Sequence, residues 1–304
     1  MTPVGAIVHE LRPIRRPARI LYWGAAFWLS SAVVHVFALA ADDWNWAGAI
    51  SFRKPITFSL SIGLLLATSG WVLDRLPDRP RLAGALSWTL LVSSTIEVGL
   101  IAAQTWRGRA SHFNTLEVGD AAIFAAMGAM IGVVSICLVT LLIWSLISRP
   151  SDPLVAVAVV AGLVLVTTGL GIGQWIIQLG NDYVASRGMV PETVLNGDAG
   201  VAKFPHAVAF HGIQLFILAA IMLRHGVRTE KIKRALMWLV VVSYSGVLLF
   251  ASIQTMVGRA PLDPGVWSFG LALSAIGLGL AMLLIVRGID LNADNDHDEA
   301  VPVA

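Results

Sequence analysis

The chain has 304 residues, 57% hydrophobic and 13% charged, with a mean hydropathy of +0.76 and a formal net charge of +2. Soluble domains do not have this composition; membrane proteins do. A net charge this small gives no basis for a nucleic-acid partner, and a lone cysteine, Cys137, excludes disulfides and dithiol relays.

In chain order, apolar runs of spanning length, roughly 20 residues each, fall at 20–41, 55–73, 82–106, 121–147, 154–180, 204–223, 232–257 and 266–286. They predict an all-α polytopic membrane protein with eight transmembrane helices and the lipid bilayer as its partner. The first run ends near Ala38-Leu39-Ala40, a small-residue triplet of the kind found at signal cleavage sites, but it is longer than a signal core and reads as a retained helix. Fourteen of the 21 Lys and Arg residues lie on the connections at one face. By the positive-inside rule that face is cytoplasmic, which puts both termini in the cytoplasm and the protein in the plasma membrane.

Gln104-Thr105-Trp106-Arg107-Gly108-Arg109-Ala110 returns 150 residues later as Gln254-Thr255-Met256-Val257-Gly258-Arg259-Ala260. The same offset pairs Pro55 with Pro205, Trp88 with Trp238 and Ser93 with Ser243. A phase held over that distance predicts a tandem 4+4 duplication. The repeats are 1–150 and 151–289, related by a pseudo-twofold along the membrane normal, with a disordered acidic tail at 290–304. Gly108 and Gly258 fit left-handed helix caps. Gln104 and Gln254 are expected to bond one another, or a shared ligand, across the pseudo-twofold. The longest connection, 181–203, reads as a flexible connector or a lid.

Long polar side chains inside the spans cluster toward the face opposite the basic connections. Glu97 is the single charged residue deep in a span, ~13 Å below the surface at 1.5 Å rise per residue, and an intramembrane carboxyl is a functional hypothesis by default. His35 and His211 lie at matched depths of ~9 and ~10 Å by the same count. Gln174 and Gln178 on the fifth span, Gln214 on the sixth, and Gln104 and Gln254 complete a polar belt. Its rim is basic, with Arg53, Lys54, Lys203, Arg107, Arg109 and Arg259, and it would take a carboxylate, phosphate or propionate. His112, in the loop after the third span, is an acid–base group beside Glu97 in a catalytic reading.

Two histidines on separate helices suit haem b or a metal ion. The leading expectation is therefore a membrane oxidoreductase that uses haem, metal or quinone, with His35 and His211 as ligands and Glu97 and His112 as catalytic groups. The alternatives are a transporter or channel for a small anionic solute, and a structural membrane subunit or one that binds a lipid or another amphiphile.

Overall fold

The computed structural model describes residues 3–48, 50–115, 117–189 and 199–298. Among them the chain is entirely helical in its regular structure. The order is α1 (Pro3–Glu10), α2 (Arg16–Ala41), α3 (Arg53–Arg75), α4 (Pro80–Trp106), α5 (Val118–Ile147), α6 (Pro153–Arg187), α7 (Lys203–His225), α8 (Glu230–Met256) and α9 (Val266–Asp298). The eight helices from α2 onward are long and apolar enough to cross a membrane, which makes this a multi-pass integral membrane protein. Large apolar side chains such as Trp23, Phe37, Ile136 and Leu273 face outward, as a lipid solvent allows and water would penalise.

The helix ends follow from local chemistry. Pro17, Pro80 and Pro153 sit in first turns, where a missing N–H costs nothing. Asp152 caps α6, accepting from the backbone N–H of Leu154 at 2.8 Å and of Val155 at 3.2 Å. The helix α4 closes on Gly108 at φ +66°, with Arg109 N–H donating to the Gln104 carbonyl at 2.9 Å and Gly108 N–H to Thr105 at 3.0 Å. The end of α8 repeats this at Gly258, φ +72°, with Arg259 bonded to Gln254 at 3.0 Å. This is the Schellman pattern, which satisfies carbonyls left over at the helix end.

Two elements run longer than the apolar spans that mark them, and one has no span at all. The helix α6 continues to Arg187, into the expected connector, whose residues 190–198 lie outside the described residues. The helix α9 continues to Asp298, past the expected start of the tail at 290. The helix α1, with 8 residues, is too short to read as a span, yet Glu10 at its end organises one face of the bundle.

We call the face where α2, α4, α6 and α8 begin proximal, and the other distal. At the proximal face Glu10 bonds Arg75 of α3 at 3.0 Å and Arg224 of α7 at 2.8 Å. Its carbonyl also accepts from the Trp71 indole at 3.0 Å. The chain then passes over Asp74, whose carboxylate accepts from the N–H groups of Ile14 at 2.7 Å and Arg15 at 3.0 Å.

Helices α2 and α3, α4 and α5, α6 and α7, and α8 and α9 pack as neighbours. One buried core runs from Leu21 and Trp28 of α2 through Leu66 and Leu138 to Val159 of α6 and Ile217 of α7. A second joins α6 to α9 through Phe216, Val240 and Ile285. Helices α3 and α7 have 23 residues each and start at 53 and 203, and α4 and α8 have 27 each and start at 80 and 230.

Candidate functional site

The distal connection between α4 and α5 is a built structure. Asp120, 2% exposed at the start of α5, accepts from Gln104 at 3.0 Å and from Asn114 at 2.9 Å. Arg107 and Arg109 approach the same carboxylate at 3.5 and 3.9 Å. Gln104, Arg107 and Arg109, which the sequence offers as ligand-binding groups, therefore hold this loop through Asp120. Arg109 also pairs with Glu117 at 2.8 Å, and that bond raises its pKa. Gln254 does not reach across to Gln104. It donates to the carbonyls of Ala260 at 2.8 Å and Asp263 at 3.0 Å, in its own loop. The expected bond between the two glutamines is replaced by two separate loop clamps. Asp120 and Asp263, each following a Gly-Arg-Ala segment, are the signal that sequence reasoning passed over.

The clamped loop delivers His112 to the bundle. Phe113 is held in the left-handed region at φ +59°, a strained position for a bulky residue, and its ring is buried. That ring enters a slot on α6 at Gly180, where an added methyl would collide with it, and packs on Phe124 at 5.5 Å between centroids. Anchored in this way, His112 stacks on Phe58 of α3 at 5.3 Å, and its Nδ1 bonds the Ser111 hydroxyl at 2.9 Å. Burial, then the charges of Lys54 and Lys203, push its pKa down to about 3.

The basic rim is sharper than the sequence indicates. Arg53 and Lys54 open α3 and are 6% and 4% exposed. The Arg53 Nε donates to the Trp46 carbonyl at 2.7 Å. The Lys54 ammonium is buried with no hydrogen-bond partner among the described residues. Lys203, opening α7, lies within reach of the charges of Arg53 and Lys54. Three cations and an imidazole thus lie at the distal ends of α3 and α7, and among the described residues no carboxylate contributes to the charge around His112 or Lys203.

Below this cluster α3 and α7 meet again, where Gln214 donates to Thr68 at 3.2 Å. Ser61 lies on the same face of α3 as Lys54 and Thr68, by the i, i+7, i+14 rule. Ala207 and His211 lie on the face of α7 that carries Lys203 and Gln214. Ser61, Ala207 and His211 are all exposed. The faces of α3 and α7 that run from the cation cluster to the Gln214–Thr68 bond therefore carry exposed residues, and we refer to the interval between them as the cleft.

The other expected site residues lie elsewhere. His35 does not have a free nitrogen: its Nδ1 bonds the Ser31 carbonyl at 2.8 Å, and its Nε2 accepts from the Trp106 indole at 3.2 Å. With both nitrogens engaged it offers no lone pair to iron or another metal. His211 stands exposed on the cleft face of α7. Gln174 is exposed on α6. Glu97 is 5% exposed on α4, with Oε2 unpartnered, a group that needs a proton or a cation to be stable there. Among the described residues no group of three or more His, Cys, Asp or Glu could hold a metal ion. No family model, no curated protein and no solved structure matches the chain.

Proposed function

We propose that the protein binds a small anionic or amphiphilic molecule in the cleft between α3 and α7, entering from the distal side. The observation that carries this is the buried, unpartnered ammonium of Lys54 beside Arg53, Lys203 and His112. An unpaired buried charge is costly, and an anion at this point would offset several such costs at once.

The cleft lies between two four-helix units, and we read the chain as a tandem duplication of residues 1–150 and 151–289. Supporting this are the matched lengths and starts of α3 with α7 and α4 with α8, and the repeated Gly108 and Gly258 caps. The excess of Lys and Arg at the proximal face supports a cytoplasmic location for it in the plasma membrane. Labelling of a Leu262→Cys variant by a membrane-impermeant maleimide on intact cells tests that orientation, since the native Cys137 is buried.

Binding is tested by isothermal titration of the detergent-purified protein with oleate and with succinate. Binding of either anion, weakened at least tenfold in Lys54→Met and Lys203→Gln, supports the reading. Absence of binding, or equal affinity in those variants, overturns it. Uptake of succinate into proteoliposomes separates transport from capture. The reading of His35 and His211 as ligands of haem b or a metal ion loses His35 to Trp106 and is not carried forward.

A further inference from the structure

A second polar site lies at the other end of the molecule. A cavity of about 460 Å³ opens at the proximal face between the start of α2, the end of α3, the α5–α6 connection and the end of α7. Arg15, Arg75, Arg149 and Arg224 line it, together with Asp74 and Asp152.

The partners of these groups show which charges remain. Asp74 accepts from two backbone N–H groups. Asp152 is divided between the α6 cap and Arg224, the latter at 3.0 Å. Arg75 and Arg224 share Glu10. Arg15 donates to the carbonyls of Asp74 at 3.2 Å and Leu76 at 3.0 Å, contacts that leave its charge intact, and reaches only the exposed Asp78 at 3.5 Å. Arg149 is exposed and makes no bond or ion pair among the described residues. Among the lining residues four guanidinium groups therefore face two carboxylates, Asp74 and Asp152, and Arg149 is the cation that pairs with no carboxylate among the described residues. Guanidinium groups match phosphate oxygens in geometry, and basic pockets between transmembrane helices at headgroup depth are suited to anionic lipid headgroups.

We propose that this cavity binds a phosphate monoester or diester, held by Arg15 and Arg149, at the junction between the first and last four spanning helices. The group would be the headgroup of an anionic lipid in the proximal leaflet, or a soluble phosphate ester of the same chemistry.

Thermal unfolding of the detergent-purified protein tests this, with phosphatidylglycerol in mixed micelles as the lipid probe and glycerol 3-phosphate as the soluble one. Phosphatidylcholine and matched chloride serve as controls. The expected result is a rise of several degrees in Tm with at least one probe, reduced by about half or more in Arg149→Gln, a change that breaks no existing contact. A rise with phosphatidylglycerol alone assigns a lipid, and a rise with glycerol 3-phosphate assigns a soluble ester. Lys203→Gln, at the distal cluster, should retain the full rise. Absence of a rise with both probes, or an undiminished rise in both Arg149→Gln and Arg15→Gln, overturns the proposal, whatever the outcome at the distal cleft.

Discussion

The indole N–H of Trp106 donates to Nε2 of His35 at 3.2 Å. With Nδ1–H directed at the Ser31 carbonyl, this fixes a neutral tautomer and takes up the lone pair that a metal would use. Trp106→Phe should lower stability by about 1 kcal/mol, the net worth of one such bond. The wild-type absorption spectrum should be unaltered by His35→Ala, and a haem band lost in that variant would contradict the assignment.

Lys54 gives a prediction of opposite sign. Its ammonium is enclosed and unpartnered, so Lys54→Met should stabilise the ligand-free protein by about 1–3 kcal/mol, as removal of an uncompensated buried charge does. The same variant should bind neither oleate nor succinate. Chemical unfolding beside the titration checks both halves of the prediction; a variant less stable than wild type would mean that Lys54 has a structural partner.

His112 couples the site to pH. Its folded pKa, lowered to about 3 from the usual 6.5 by burial and by Lys54 and Lys203, lies below its unfolded value. The unfolded chain therefore takes up the proton first. Stability from this residue is fully present above pH 6.5 and declines as pH falls toward 3, by about 1 kcal/mol per unit between pH 6 and 5. An anion between Lys54 and Lys203 favours the protonated ring, so the affinity for its ionised form should rise toward the low end of this range, as pH nears the ring's raised value in the complex, while the free protein weakens. In His112→Gln both slopes should disappear. Melting curves and titrations at pH 7, 6 and 5 read them directly.

The slot at Gly180 sets the position of His112 without touching it. Gly180→Ala forces the Phe113 ring outward and should cost about 1–3 kcal/mol, as overpacking does. Anion affinity should fall with it, although Lys54 and Lys203 are intact. Unchanged affinity would show that the loop does not position the site.

Much of this architecture is legible in the sequence, and the reasons differ by element. The eight spans follow from apolar run length, because lipid leaves the backbone no alternative to helix. The Gly108 and Gly258 caps follow from glycine's access to positive φ. Asp120 eluded sequence reasoning because a carboxylate at a helix start reads as an ordinary first-turn acid; only the folded loop brings Gln104, Asn114, Arg107 and Arg109 around it. Arg53 and Lys54 are visible as a basic pair, but their convergence with Lys203 depends on how α3 meets α7, which no local pattern encodes. Glu10 was invisible for the same reason: its partners, Arg75 and Arg224, are far away in sequence and adjacent only at the proximal face.

The Gln214–Thr68 bond sits 14 residues along α3 from Lys54, a distance of ~21 Å at the helical rise. A neutral bond of this kind is worth about 1 kcal/mol, too little to lock two helices rigidly. Treated as a fulcrum, it gives the distal end a long lever arm: a tilt of about 10° between α3 and α7 would move Lys54 and Lys203 apart by ~4 Å, in the range of ordinary rigid-body rotations. A ligand touching both lysines would act as a brace across the cleft mouth.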